Sequence, residues 1–492
     1  MYLFIEGVNL TQAIFDTDDL STVRGSSMIL ERLGGSAAEH FGGTLLEEGA
    51  SRALLKFSDD KAPTDDAIQK FLKSEPWCHF TLTYGVGSTP EEAESKARHR
   101  QLRQWTVPIS AFASGHAPDA LNQTYAASEK NSRHGVGIKV SQSVKVRREA
   151  GQNLRPWLYQ TKGLKPPKSF EDIIVAANEQ TRMVTDAKLA VVCADGIGGT
   201  ILRKSFEEKF KDDPDEGRIA FNTAMKNLRQ RLAEALEKWL IEEGLFHIEE
   251  SKFARPQFDV LIWGGDDMAF VMPAEYLMGF LKVFFETVDA KFDAETPDVF
   301  ENGFPHRVGC VVANYKTPIR QMRALAGHAE ALVKTALSAK ELGAQSGFTI
   351  DVFESSALPY SGPVEYRQAL YGTGYTIGDD LFLASDVDSI SKFCQTTMDK
   401  DDPTGLTTSQ AYKALQKMRR AGAMVSSKGS NDICRDVLNS KAERVGGAKA
   451  PCDDWITAFS EVPRALPMLL AQVAQIGPYC TKRVQPQKED AQ

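Results

Sequence analysis

The spacing of apolar residues along the first hundred positions predicts an ordered series of short elements. Residues 2–5 form an apolar run that fits a strand. From Asp19 to Phe41, Leu20, Val23, Met28, Leu30 and Leu33 recur at near-helical spacing. Residues 44–46 and 53–57 are apolar runs separated by a polar stretch, which suits a hairpin. Residues 63–72 predict a second helix, and 77–84 alternate like a strand. Thr89-Pro90-Glu91-Glu92 then supplies a capping hydroxyl, a proline at the first helical position and acids in the first turn. The order is β-α-β-β-α-β, the ferredoxin-like arrangement, followed by a helix.

A second series of the same kind starts near residue 187. Leu189 to Cys193 is a continuous apolar strand running on to Asp195. Phe221, Met225, Leu228, Leu232, Leu236 and Trp239 mark a long amphipathic helix over 219–240, with Gly244 beyond its end. Strands at 260–263 and 268–272 flank Gly264-Gly265-Asp266-Asp267. A helix over 274–288, a strand over 308–313, a helix over 318–342 and an edge strand over 348–353 follow. Two series in one order imply an internal structural duplication. The expected class is α+β, with two ferredoxin-like units and a helical domain after them. Units are expected at 1–106 and 181–353, with an insert at 107–180, a helical domain at 354–484 and a disordered tail at 485–492.

Composition adds exclusions. With 492 residues, 42% hydrophobic and 25% charged, the chain is an ordinary globular one of about three domains. Its net charge of −8 argues against a protein that coats nucleic acid with its whole surface. The insert is the local exception: residues 133–168 hold nine Lys/Arg against Glu149 alone. Val144-Lys145-Val146-Arg147 alternates like a strand with one basic face, and Trp157 and Tyr159 could stack on bases. Lys145, Arg147, Arg148 and Arg155 are the candidate RNA contacts, and a solvated surface loop is the bland alternative. The seven scattered cysteines form no C-x-x-C pair, which predicts reduced thiols, a cytoplasmic location and no zinc ribbon. Glu6 in the opening MYLFIEG speaks against a signal peptide. The 12-residue run 465–476, interrupted by Pro467, is too short to span a membrane.

The hairpin of the second series carries the strongest chemical signal. Glycines allow a tight turn and close approach of a substrate, and two adjacent aspartates at the tip can reach a hard cation such as Mg²⁺ or Mn²⁺. Asp195 ends the strand expected beside that hairpin. Asp195, Asp266 and Asp267 are therefore the candidate metal ligands and catalytic carboxylates, suited to phosphoryl transfer. Gly264 and Gly265 would admit the α-phosphate and ribose hydroxyl. Gly196, Ile197 and Gly198 form a short loop whose backbone N–H groups could cradle a triphosphate. Ile201 stands where a dinucleotide fingerprint needs its third glycine. Arg203 and Lys204 lie just beyond, and Lys334 and Lys340 are expected to reach phosphates from one helix face. Asp379-Asp380 is a decoy, expected at a helix N-terminus. The first series carries Gly49-Ala50-Ser51-Arg52 at its hairpin and Glu6 in the place of Asp195. It is expected to lack catalytic metals, while holding a second nucleotide near Arg52 or Arg24.

These residues resemble the large subunit of type III CRISPR effector complexes, the GGDD polymerase/cyclase palm family, and its minimal stand-alone relatives. Gly7-Val8-Asn9-Leu10-Thr11-Gln12-Ala13-Ile14-Phe15, with Leu20 and Val23-Arg24-Gly25-Ser26-Ser27, is similar to the family's opening palm segment. Asp195-Gly196 and the GGDD hairpin match its active palm. Val311-Val312-Ala313-Asn314, Pro318 and Ala329-Glu330-Ala331-Leu332-Val333-Lys334 are similar to its last strand and helix. The resemblance implies an inactive and an active palm, ATP as substrate, and a cyclic oligonucleotide as product. It also implies guide or target RNA and effector subunits as partners. The chain departs from the family in having no His-Asp pair, no cysteine quartet, Ile197 in place of a second acid, and Ala336-Leu337 in place of an Ala-Lys motif. A diguanylate cyclase fits less well, because Met268 follows the two aspartates. The competing class is a non-catalytic RNA-binding scaffold.

Overall fold

The computed structural model describes residues 1–49, 51–58, 61–104, 117–133, 135–153, 164–174, 187–248, 254–291, 303–354, 362–371 and 375–398, with 412, 413, 416, 472 and 475–477 beyond them. Arg155, Trp157, Tyr159, the tail 485–492 and nearly all of 399–484 lie outside the described residues.

The first unit runs β1 (Tyr2–Gly7), α1 (Leu10–Ile14), α2 (Leu20–Leu30), α3 (Leu33–Phe41), β2 (Thr44–Glu48), β3 (Arg52–Lys56), α4 (Asp65–Leu72), β4 (Leu82–Gly87) and α5 (Pro90–Gln101). Its sheet has the order β2-β3-β1-β4 with every pair antiparallel. Side-chain caps set the helix starts: Asp19 accepts from the Thr22 N–H, Thr64 from Ala67 and Thr89 from Glu92. The helix expected over 19–41 is two helices. The strand expected over 77–84 opens with a 3₁₀ turn, Trp77–His79, and pairs only from Leu82.

The insert contributes a hairpin, β5 (Glu129–Arg133) with β6 (Val136–Val140), and a helix, α6 (Gln142–Ala150). The helix corrects the strand expected at Val144–Arg147. Ser141 caps it by accepting from the Val144 N–H, and Val144, Arg147 and Arg148 form its buried stripe at helical spacing. Of the three described RNA candidates, Arg147 and Arg148 are buried and Lys145 stays at the surface. Arg147 pairs with Asp16 at 2.8 Å and donates to the Ala13 carbonyl, Arg148 pairs with Asp19 at 3.2 Å, and Lys145 pairs with Glu129 at 3.0 Å. Glycines let α6 cross α2 closely. A Cβ added at Gly25 would lie 1.7 Å from the Arg147 carbonyl oxygen, and one at Gly151 would lie 1.8 Å from that of Ser21.

The second unit runs β7 (Lys188–Gly196), α7 (Gly199–Lys209), α8 (Pro214–Glu242), β8 (Phe246–Ile248), β9 (Ala254–Pro256), β10 (Asp259–Gly264), β11 (Asp267–Pro273), α9 (Leu277–Val288), β12 (His306–Asn314), α10 (Ile319–Ala339), β13 (Gly347–Val352), α11 (Pro363–Tyr371), β14 (Phe382–Leu383) and α12 (Val387–Met398). The sheet order is β10-β11-β7-β12-β13-β14, so its first four strands repeat the order of the first sheet. The expected boundary at 353 cuts through this sheet. β14 pairs with β13, and Phe382, Val387, Ile390 and Phe393 join the unit's core. Asp379 and Asp380 do not open a helix. Asp380 is buried against Arg367, which also holds Asp351, while Asp386 supplies the carboxylate that accepts from the Leu383 N–H before α12.

Alternation along β7 divides its side chains between two cores. Ala190, Val192 and Ala194 pack with α7, α8 and α9. Leu189, Val191 and Cys193 face α10 and share a core with Leu3, Ile5, Val23 and Leu33 of the first unit. Arg24 spans this junction: fully buried, it pairs with Asp259 at 3.2 Å and donates to the carbonyls of Gly151 and Pro167. Its interior position corrects the expectation that it serves a nucleotide. Among the described residues no helix is long and apolar enough to cross a membrane. The described cysteines Cys78, Cys193, Cys310 and Cys394 are free thiols.

Candidate active site

The turn between β10 and β11 is tighter than the four polar residues suggest. Gly264 pairs with Asp267, which leaves Gly265 and Asp266 as a two-residue loop. Within it only Gly265 has a positive φ, 59°, the sign pattern of a type II′ turn, whose first central position favours glycine. The local sequence is thus dictated by the turn, and the turn places Asp266 at its tip and Asp267 at the start of β11.

Strand register brings the third acid alongside. Met268 lies opposite Ala194, which sets Asp267 level with Asp195, and Arg307 on β12 lies opposite Asp195 from the other side. Alternation puts Asp195, Asp267 and Arg307 on the sheet face that packs toward α10. Asp195 occupies the next-to-last position of β7, as Glu6 does of β1.

Gly196 closes β7 and Gly198, with φ 79°, caps α7. A Cβ on Gly196 would lie 2.5 Å from the Phe304 ring and 2.8 Å from the Cβ of Asp266. An Asp266 carboxylate oxygen comes within 3.1 Å of a Cβ placed on Gly199. The loop therefore carries glycine because the hairpin tip lies against it. Its backbone opens onto a cleft of about 470 Å³ lined by Asp195, Gly196, Ile197, Gly198, Asp266, Arg307 and Lys334. Lys340 is not in that lining; its Cε comes 3.1 Å from a Cβ placed on Gly378. The expectation that it shares a face with Lys334 fails on helix geometry, because six residues turn an α-helix by about 600° and leave the two far apart in azimuth.

Burial raises the pKa of Asp266, against the pull of its own backbone hydrogen bond and the charges of Arg52 and Arg229. Asp267 is exposed by surface area, yet protein crowds its carboxyl. Desolvation first and the charge of Asp266 second push it up to about 6. Two adjacent carboxylates that repel each other suit a hard divalent cation. The expected three-carboxylate set is not assembled. The guanidinium of Arg307 engages Asp195 and also Glu330 of α10, and the described residues contain no group of three or more His, Cys, Asp or Glu placed to hold a metal.

In the first unit Arg52 pairs with Glu47 and is half exposed, and its positive charge acts on both Asp266 and Asp267. Glu47 also binds Arg203 at 3.2 Å and Arg218 at 3.5 Å, so Arg203 faces the first unit. Arg307, Glu330 and Arg229 were not singled out by sequence. The only signal for Arg307 was its place one residue before the apolar run of β12.

In fold, the chain is similar to the large subunits of type III CRISPR effectors. The crystal structure of Csm1 in T. onnurineus matches 98% of this chain and 70% of its own at 13% identity, with a TM-score of 0.55. A Csm1-Csm4 cassette in complex with pppApA matches 98% and 69% at 12% identity, with a TM-score of 0.51. No protein-family model matches the sequence, and no curated protein matches it.

Proposed function

We propose that this chain is a metal-dependent nucleotidyltransferase of the GGDD palm type. It would join ATP or another NTP into cyclic oligonucleotides and release pyrophosphate, in type III CRISPR-type antiviral defence. The observation that carries the reading is that Asp266 at the tip of the GGDD turn, the Gly196–Gly198 loop and Lys334 line one cleft. The second unit is the active palm in this reading. The first, with Arg52 at its hairpin, is the inactive one. That a Csm1-Csm4 cassette of the same fold was crystallised with pppApA supports an adenylate chemistry, and suggests a Csm4-like chain as a partner.

Each residue then has a task. Asp266 and Asp267 would hold the divalent cation, with Asp195 in reach as a third ligand. Mg²⁺ or Mn²⁺, when bound there, would lower the pKa of the attacking ribose hydroxyl and neutralise the departing pyrophosphate. The loop N–H groups at the start of α7 face the triphosphate, where the helix dipole favours negative charge. Lys334 adds a point charge from α10. Gly264 and Gly265 leave the hairpin backbone bare to the α-phosphate. The hydroxyl oxygen bonds to phosphorus as the bond to pyrophosphate breaks, and the hydroxyl proton goes to water. The RNA-scaffold alternative loses Arg147 and Arg148, which are spent in internal pairs, and keeps Lys145 and the cross-strand pair Lys130 and Lys139 at the surface.

The test is pyrophosphate release from NTPs by the full chain and by the Asp266→Asn/Asp267→Asn double variant. Release at background level in the double variant supports the reading. Undiminished release contradicts it.

A further inference from the structure

This inference rests on the nucleotidyltransferase reading above. We propose that Arg307 is a positioning residue that withholds Asp195 from the metal until a nucleotide enters, then moves its guanidinium onto the triphosphate. Metal and nucleotide would then bind with positive coupling, each favouring the other.

The geometry has three parts. Arg307 stands opposite Asp195 in the β7–β12 register and bridges that carboxylate to Glu330. The three side chains are only 14–22% exposed, so the pairing is shielded from water and salt. Arg307 and Lys334 are also the cations that line the cleft beside the Gly196–Gly198 loop. The Asp195 oxygen that accepts from the guanidinium is occupied, and the paired positive charge weakens the other oxygen as a ligand, so a cation at Asp266 and Asp267 meets an incomplete site. A triphosphate changes the balance. It offers several anionic oxygens to a planar fork of five donors, and arginine binds phosphate bidentately. Glu330 is not abandoned in the exchange. Lys334 lies four residues along α10, and its charge already acts on Glu330.

The experiment titrates Mn²⁺ into the full chain and reads free Mn²⁺ by electron paramagnetic resonance. It is run with and without adenosine 5′-(α,β-methylene)triphosphate, whose methylene bridge blocks pyrophosphate release. Wild type should bind Mn²⁺ about tenfold more tightly with the analogue than without it. Arg307→Gln should bind it about tenfold more tightly than wild type without nucleotide, and show little further gain with it. Asp195→Asn should leave nucleotide-free affinity as in wild type and lose the gain. An unchanged nucleotide-free affinity in Arg307→Gln overturns the proposal. So does an Asp195→Asn variant equally weakened with and without nucleotide, and this second result decides the matter if Arg307→Gln does not fold. Mn²⁺ binding that survives Asp266→Asn/Asp267→Asn contradicts the catalytic reading itself, and is thereby distinguished from failure of the Arg307 role alone.

Discussion

Asp267 shows how one carboxyl couples stability to chemistry. Its pKa is pushed up to about 6, first by desolvation and then by Asp266. The folded form therefore holds the proton more tightly than the unfolded chain, whose carboxyl titrates near ~3.9. The stabilisation is complete below the unfolded value and is lost as pH rises through about 6. Asp267→Asn should thus melt higher than wild type at pH 7–8, by about 2 °C in a chain of this size. The gain should vanish near pH 4. Thermal melts across pH check this, and an equal gain at both ends would contradict it. Gly265→Ala tests the turn. A side chain at φ 59° costs about 1–2 kcal/mol, and the tip carrying Asp266 should shift enough to depress pyrophosphate release. At this scale the site was legible where local geometry dictates sequence, as at Gly265. Arg307 and Glu330 were not legible, because their roles depend on register between β7 and β12 and on which face of α10 meets the sheet.

Helices gave the clearest misreadings, and each has a local cause. The segment Val144–Arg147 alternates apolar and basic over four residues, too short a stretch to separate a period of 2 from one of 3.6. Ser141 was the missed signal, since its hydroxyl accepts from the Val144 N–H. α7 was masked by its own glycine-rich entrance, although Leu202 and Phe206 are buried at i,i+4 spacing. Lys334 and Lys340 failed a rotation check that helix geometry provides. The α2–α6 crossing yields a prediction of its own. Gly25→Ala puts a Cβ 1.7 Å from the Arg147 carbonyl, a backbone atom that cannot give way cheaply. The two helices must separate, which should cost about 3 kcal/mol. Urea unfolding measures it, and a loss under 0.5 kcal/mol would show that the crossing is looser than the geometry implies.

For the molecule as a whole, the repeated strand order was legible because both units switch between strand and helix periodicity in the same order. The sharing of one core was not, since both faces of β7 read as apolar without saying what covers them. Arg24 is the sharpest consequence. Arg24→Met takes the Arg24 guanidinium away from buried Asp259, which should cost about 3–5 kcal/mol. Arg24→Met/Asp259→Asn should recover part of that loss, measured by urea unfolding; a double variant as unstable as the single one would contradict this. The described parts of both units should also melt together, because α2 belongs to one unit in sequence and to both in packing. The central claim concerns the cleft between the GGDD turn and α10. Its most direct test is to incubate the purified chain with each NTP and Mg²⁺ or Mn²⁺, with and without RNA, and weigh the products by mass spectrometry. The expected product weighs a whole number of nucleoside monophosphate residues with no terminal phosphate, and is absent from Asp266→Asn/Asp267→Asn. Unconsumed NTP under every condition, or the same product from the double variant, would contradict the account.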